Sequence, residues 1–112
     1  MGSLERHRMQ FIIFNKFIEN EISKDSCLHF APEPFISPIL RKRFATYTTA
    51  DLVMNDVDLR MDVTQINLKD SRICFIYISH VLEHVPDDLL ALKEIYRVLK
   101  PNGIALIAVP VL

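Results

Sequence analysis

The chain has 112 residues, of which 50% are hydrophobic and 24% are charged. This length and composition are typical of one folded domain and exclude a disordered chain. The formal net charge of -1 argues against general binding of nucleic acid, which requires a concentrated positive surface. No apolar run approaches the roughly 20 residues of a membrane span, and the amino terminus lacks the apolar region of a signal peptide. We therefore expect a single domain over residues 1–112, located in the cytoplasm.

The sequence contains two cysteines, Cys27 and Cys74, and each lies in an apolar, strand-like stretch. Such cysteines in a cytoplasmic protein are expected to be buried and reduced rather than joined as a disulfide or used as a metal pair. We predict no metal site.

The first third of the chain predicts a helix, a strand and a second helix. The leading helix runs from about Leu4 to Ile22, because five apolar side chains recur three and four residues apart. A short strand follows from Cys27 to Phe30 and breaks into a turn with two prolines. Ser37 before Pro38 then predicts the N-cap and first residue of a helix that ends at about Arg43.

Three strands are predicted in the middle of the chain. The segment from Phe44 to Ala50 is rich in threonine and aromatic residues and ends at Asp51. The segment VDLRMD, Val57 to Asp62, alternates strictly, as an edge strand does, whereas RICFIYIS is apolar almost throughout, like a central strand. Only about six residues separate Asp51 from Val57, fewer than the usual crossover between parallel strands. Either these strands are short or their connection contains no helix.

The last third predicts a helix and a strand. The segment DDLLALKEIYRVLK begins at the cap Asp87 and stops before Pro101 and Gly103. Its predicted buried stripe consists of Leu92, Ile95, Tyr96 and Leu99. A final strand from Ile104 to Val109 completes an alternation that indicates a three-layer α/β fold with a mostly parallel sheet of about five strands.

The carboxyl ends of these strands hold the candidate ligand-binding residues, because open α/β sheets bind ligands at that edge. Asp51 follows Glu33 by eighteen positions, close to the ~20-residue offset at which a carboxylate meets ribose hydroxyls. A carboxylate can accept two hydrogen bonds from such a diol. The alternative is an aspartate that only caps its own turn.

The segment HVLEHVPDDLLALKEIYRVLKPNGIALIAVP resembles the end of the fourth strand, the helix and the fifth strand of class I S-adenosylmethionine-dependent methyltransferases. Upstream, CLHFAPEP, YTTADL and VDLRMDVTQI are similar to a methyltransferase type 11-like subgroup in which an APE turn replaces the glycine-rich loop. The resemblance implies a Rossmann-like fold, S-adenosylmethionine as cofactor and methyl transfer to an acceptor that these residues do not identify. Because the family continues with two more strands, it also implies a truncated core that is incomplete at both ends.

The resemblance further implies ten cofactor-binding residues, which are Phe30, Ala31, Pro32, Glu33, Asp51, Leu52, Asp62, Val63, Ser79 and His80. The proline turn would lie beneath the methionyl part, with Glu33 meeting the ammonium group. Asp51 would accept from the ribose diol and Leu52 would lie against the adenine, whose edge Asp62 and the Val63 amide would contact. Ser79 and His80 would close the pocket.

No catalytic residue is assigned. His80 and His84 are candidate bases if the acceptor must lose a proton, although His84 is interpreted as packing its loop away from the cofactor. The pattern HVLEH also matches the HxxEH motif of zinc peptidases, but that motif needs a sustained helix, which Pro86 forbids. A further alternative is an inactive binding or interaction module.

The strand Ile104 to Val109 is expected to lack a neighbour on its outer edge, because the family strands that would cover it are missing. An apolar, uncharged edge recruits another strand. The sequence therefore predicts a homodimer through this segment.

Overall fold

The computed structural model of the protein describes residues 8–15 and 24–111. Within these ranges the chain forms six strands, two α-helices and one short 3₁₀ turn at Leu82–His84. The strands and helices, in chain order, are β1 (Arg8–Asn15), β2 (Ser26–Phe30), α1 (Ser37–Arg43), β3 (Thr46–Asp51), β4 (Leu59–Arg60), β5 (Ile73–Ser79), α2 (Asp88–Val98) and β6 (Leu99–Val111).

The six strands form one sheet in the order β1-β6-β5-β2-β3-β4. The five strands from β6 to β4 are parallel, and only β1 runs antiparallel to its neighbour. The predicted fold is confirmed: the protein is a Rossmann-like α/β domain with a mostly parallel sheet. No helix in the described ranges combines the length and apolar character needed to cross a bilayer.

Helix α2 covers one face of the sheet and builds the main hydrophobic core there. Asp87 caps it as predicted, since its Oδ1 accepts a hydrogen bond from the Leu90 amide at 3.1 Å. The buried stripe differs from the prediction: Ala91, Ile95 and Val98 face the core, whereas Tyr96 is 54% exposed. The predicted buried face is displaced by about one residue from the observed buried face, because the prediction preferred long apolar side chains over the small Ala91. Of the remaining predicted members, Leu92 is half-buried and Leu99 is buried but belongs to β6.

Helix α1 covers part of the other face, where Leu40 and Phe44 pack with Cys27. Both cysteines are buried thiols that are not joined as a disulfide, as predicted, and burial raises the pKa of Cys27 to about 12. The predicted N-cap role of Ser37 is wrong, because Ile36 occupies the cap position and makes no side-chain cap bond. Ser37 lies in the first turn, and its hydroxyl accepts a hydrogen bond from Tyr47 at 2.9 Å.

A buried histidine continues this polar chain beneath α1. His29 is fully buried, and its Nδ1 lies 2.8 Å from the Tyr47 hydroxyl. Because Tyr47 donates its own proton to Ser37, His29 must donate from Nδ1. Its Nε2 is buried without a hydrogen-bond partner in the described residues, and burial lowers the pKa of His29 from 6.5 to about 4.

Strand β1 overturns two predictions. Residues 8–15 form a strand rather than part of the helix predicted from Leu4 to Ile22; the rest of that segment lies outside the described residues. The strand pairs with β6 from Arg8 opposite Val111 to Asn15 opposite Ile104. The outer edge of Ile104 to Val109 is therefore occupied by the same chain, and the predicted homodimer loses its basis.

The connection from β3 to β4 resolves the alternatives left open above. Strand β4 has only two residues, and residues 52–58 contain no helix, so both explanations hold. Asp58 fixes this connection, because its Oδ2 accepts hydrogen bonds from the Thr49 amide at 2.9 Å and the Thr49 hydroxyl at 3.2 Å.

Candidate functional site

A cavity of about 350 Å³ opens at the carboxyl ends of β2, β3, β4 and β5. This is the volume of a small-molecule site. The residues that line it are Phe30, Ala31, Asp51, Leu52, Val53, Met61, Asp62, Val63, His80, Val81, His84 and Val85.

Seven of the ten predicted site residues lie on this lining, which are Phe30, Ala31, Asp51, Leu52, Asp62, Val63 and His80. Pro32 instead lines a neighbouring, more polar cavity of about 360 Å³. Glu33 and Ser79 line neither of these two cavities, and Ser79 is buried within the end of β5.

The two carboxylate oxygens of Asp51 differ in their hydrogen bonding. Its Oδ2 accepts hydrogen bonds from the amides of Val53 at 2.9 Å and Met54 at 2.7 Å. The turn-capping role considered for this residue is therefore present. Within the described residues these two bonds use one oxygen only, so Oδ1 remains available for a ligand at the cavity wall.

Asp62 has a similar arrangement at the end of β4. Its Oδ1 accepts a hydrogen bond from the Thr64 amide at 2.9 Å, and its carbonyl accepts one from Gln65 at 2.9 Å. The following Val63 is 3% exposed and belongs to the core. Asp62 is thus held on a tight turn whose apolar residues are anchored below the cavity.

Glu33 is the unsatisfied group of the proline turn. Its backbone carbonyl starts α1 by accepting from the amides of Ile36 at 3.1 Å and Ser37 at 2.9 Å. Its side-chain Oε1, however, is buried without a hydrogen-bond partner among the described residues. Burial raises the pKa of the nearby Tyr77, and the negative charge of Glu33 adds to that effect. A buried carboxylate oxygen without a donor favours a cationic or N–H-bearing ligand.

The backbone turns sharply where β2 and β5 end. Ala31 and His80 have φ values of 51° and 61°, in the left-handed region that non-glycine residues rarely adopt. Each is held by a hydrogen bond to the neighbouring strand, from the Ala31 amide to the Ala50 carbonyl at 2.8 Å and from the His80 amide to the Ala108 carbonyl at 2.9 Å. Such conformations cost about 1 to 3 kcal/mol and concentrate at functional sites.

The predicted cofactor-binding set omits five lining residues, which are Val53, Met61, Val81, His84 and Val85. The interpretation of His84 as lying away from the site is wrong, since its ring lines the cavity with 76% of the side chain exposed. The 3₁₀ turn Leu82–His84 brings it back to the wall beside His80. The signal that could have found it is the spacing of the two histidines around Glu83.

The same turn removes the helical context of the HxxEH motif. His80 precedes the turn with a left-handed φ, so the two histidines do not lie one turn apart on a continuous helix. No three histidine, cysteine, aspartate or glutamate side chains in the described part of the chain are arranged to hold a metal ion.

Comparison with known proteins finds one matching family profile and several solved structures. The profile, described as "Methyltransferase domain", matches residues 35–107, well over half of the chain. A search of curated proteins finds no match.

Three solved structures illustrate the likeness of fold. A Bacillus halodurans protein described as a candidate methyltransferase has a TM-score of 0.67 at 18% identity, over 77% of this chain and 45% of that chain. An Aquifex aeolicus S-adenosylmethionine-dependent methyltransferase has a TM-score of 0.59 at 20% identity, over 75% and 55%. The trans-methyltransferase CalH, in complex with S-adenosylhomocysteine, has a TM-score of 0.58 at 14% identity, over 72% and 30%. The chain thus spans about half or less of the length of these structures.

Proposed function

Because the chain belongs to the methyltransferase-domain family, we propose that its cavity binds S-adenosylmethionine and serves an S-adenosylmethionine-dependent methyltransferase. The observation that carries this proposal is the buried Oε1 of Glu33, which has no partner among the described residues and lies in the turn that follows the lining residues Phe30 and Ala31. The ammonium group of the cofactor would supply the missing donor. A cytoplasmic location remains a prediction.

The composition of the turns fits this ligand better than a dinucleotide. A pyrophosphate requires glycines that let backbone amides approach it, whereas S-adenosylmethionine has no phosphate. The only two glycines of the sequence are Gly2 and Gly103, and the turn after β2 contains Ala31 and Pro32 instead. A turn without glycine therefore supports a ligand without phosphate.

The order of the strands suggests how the ligand lies. The neighbouring strands β5, β2, β3 and β4 end at Ser79, Phe30, Asp51 and Arg60, so His80, Ala31, Asp51 and Asp62 follow one another in that order along this edge of the sheet. We assign the ribose to Asp51, with Leu52 against the adenine, and the adenine edge to Asp62 and Val63. The methionyl part then lies toward β2, where Phe30, Ala31, Pro32 and Glu33 form the turn, with Ser79 and His80 beyond it.

Little further chemistry is required from the protein for methyl transfer. The bound cofactor supplies a methyl group that is already activated, so positioning of the acceptor provides much of the rate. The role of the residues described here is to bind and orient, and the apolar side chains of Val81 and Val85 help to exclude water from the cavity.

Calorimetric titration with S-adenosylmethionine and S-adenosylhomocysteine tests the proposal directly. Both should bind, and Asp51→Asn should weaken both by about 1 to 3 kcal/mol, because the amide oxygen can still cap the loop while its NH₂ group cannot accept from ribose. Asp88→Asn, in the first turn of α2 and away from the cavity lining, should leave both affinities unchanged. Absence of heat and of any thermal shift at millimolar ligand would refute the proposal for this chain.

A further inference from the structure

Two imidazoles on the cavity wall share one carboxylate oxygen. Glu83 Oε2 lies 3.5 Å from His80 Nδ1 and 3.7 Å from His84 Nε2. Both histidines line the cavity, whereas Glu83 does not and is only 27% exposed. The two rings therefore line the cavity, and the carboxylate that lies close to both does not.

This arrangement is the one in which a carboxylate orients an imidazole for proton transfer. A carboxylate that accepts one ring N–H selects the tautomer whose other nitrogen has a free lone pair, and it stabilises the imidazolium that forms. Glu83 would leave Nε2 of His80 and Nδ1 of His84 as acceptors. Separations slightly longer than a hydrogen bond are common before a ligand binds.

The backbone holds both rings at this wall. His80 is fixed by its left-handed φ and by the bond from its amide to the Ala108 carbonyl at 2.9 Å. The His84 amide donates to the Val81 carbonyl at 3.0 Å, and Leu82 between the two histidines is 8% exposed and anchored in the core. Side chains supported in this way keep their positions when a ligand enters.

The pair also lies at the appropriate end of the site. The adenosine is assigned to the ends of β3 and β4, so the sulfur of the cofactor lies toward β2 and β5, where His80 and His84 are. This step rests on the proposed function. The other ionisable groups of the cavity wall are Asp51 and Asp62, and α2, which packs against the 3₁₀ turn, begins with carboxylates. Among residues 8–15 and 24–111, no lysine or arginine lines the cavity and would compete for a proton.

We propose that His80 and His84, positioned by Glu83, accept the proton of the methyl acceptor, which is therefore a hydroxyl or amine rather than a thioether or tertiary amine. As the lone pair of the acceptor bonds to the methyl carbon, the carbon–sulfur bond breaks, its electron pair stays on sulfur, and the proton of the acceptor passes to an imidazole. The 76% exposure of the His84 side chain lets that proton leave to water.

The charge of the sulfonium provides a test that requires no acceptor. S-adenosylmethionine carries a positive sulfur and S-adenosylhomocysteine does not, so protonated imidazoles near the sulfur should weaken binding of the first only. Between pH 8.0 and pH 5.5, the ratio of the two dissociation constants should shift about tenfold against S-adenosylmethionine. Calorimetric titrations at both pH values measure this ratio.

Variants identify the residues responsible. The double variant His80→Gln/His84→Gln should bind both ligands with a ratio that no longer depends on pH, and Glu83→Gln should reduce the shift. The variant His29→Gln removes a histidine outside the cavity and should retain the full shift. Loss of the shift in His29→Gln, or its persistence in the double variant, would overturn the assignment.

The outcomes separate this inference from the proposed function. If both ligands bind with the same ratio at the two pH values, only the inference is wrong; if neither binds, both fall together. The acceptor class is tested with phenol, a hydroxyl acceptor, and dimethyl sulfide, a thioether. It would be overturned if the wild type and the double variant methylated dimethyl sulfide at equal rates and neither methylated phenol.

Discussion

The two ends of the central strands differ in how their polar groups are satisfied. Near the amino end of β5, the Arg97 guanidinium donates to the carbonyls of Ile66 at 2.7 Å and Leu68 at 2.9 Å, and it pairs with Glu94 and Asp70. Hydrogen bonding to Arg97 lowers the pKa of Glu94. Every acceptor of this cluster serves to join α2 to the loop before β5.

At the carboxyl ends, the cavity side, groups are left available instead. Glu33 Oε1 has no partner in the described residues, and Ala31 and His80 keep left-handed backbones. Left-handed φ is not confined to this end, since Ser71, whose amide donates to the Arg97 carbonyl, also has it. Satisfied polar groups are thus concentrated near the amino end of β5, and an unsatisfied carboxylate oxygen lies at the end of the sheet that holds the cavity.

Removing Arg97 should have the largest effect on stability. Arg97→Ala leaves two backbone carbonyls without their donor and leaves Glu94 with the Ile66 amide alone, which should lower the free energy of unfolding by about 2 to 3 kcal/mol. Urea denaturation measures this. Lys93→Ala, an exposed position on the same helix, should change it by less than about 0.5 kcal/mol. Equal midpoints for the two variants would show that the cluster is not stabilising.

His29 lies between the two ends and should make stability depend on pH. The folded protein holds it neutral, with a pKa of about 4 against 6.5, so the unfolded chain binds the extra proton between these values. The free energy of unfolding should therefore fall with decreasing pH, by about 2 kcal/mol between pH 6.5 and pH 5. Urea titrations across this window should show a flatter profile for His29→Gln, with His84→Gln as the exposed control. An unchanged slope in His29→Gln would exclude His29 as the source.

Glu33→Gln, at the cavity end, should increase the stability of the protein, whereas Arg97→Ala should decrease it. The glutamine substitution removes the negative charge from a carboxyl group whose buried Oε1 has no donor among the described residues, so the free energy of unfolding should rise by up to about 1 kcal/mol. Affinity for S-adenosylmethionine should fall at least tenfold in the same variant, as measured by calorimetry. A variant that loses stability and keeps its affinity would place Glu33 among the structural groups.

Ala31→Gly should have the smallest effect. Glycine relieves the left-handed backbone, but it also increases the entropy of the unfolded chain, and the two terms nearly cancel to within about 0.5 kcal/mol. Ala105→Gly, in the buried part of β6, has no strain to relieve and should cost about 1 kcal/mol. Thermal denaturation of the pair compares them; equal losses would argue against strain at Ala31.

Sequence patterns correctly predicted the strands and caps that are determined by residues close together in the sequence. The apolar run of β5 and the capping by Asp87 were correct because one strand and one turn decide them. Strand β1 was taken for a helix because the spacing of Phe11, Phe14 and Phe17 fits a helical face, while the decisive contact is with β6, about 95 residues later. Tertiary pairing of this kind leaves no local signal.

In the candidate site, too, some residues could be predicted from local sequence and others depend on tertiary structure. Asp51 and Asp62 were found because they end strands, and parallel strands end at one edge. Val53 and His84 reach the cavity through loops whose course depends on specific bonds, such as those from Asp51 Oδ2 to the loop amides. The position of Glu33 in the turn was predicted from the sequence. That its Oε1 is buried without a partner in the described residues could not be predicted, because this depends on the surrounding tertiary structure.

The pairing of β1 with β6 has a consequence for synthesis in the cell. Residues 8–15 leave the ribosome before their partners, residues 104–111, which are made about 95 residues later. At elongation rates of about 5 to 20 residues per second, the apolar segment QFIIF waits several seconds without its strand. Nascent-chain proteolysis should therefore cut near this segment until β6 emerges, and a chaperone that binds extended apolar peptides has its longest opportunity there.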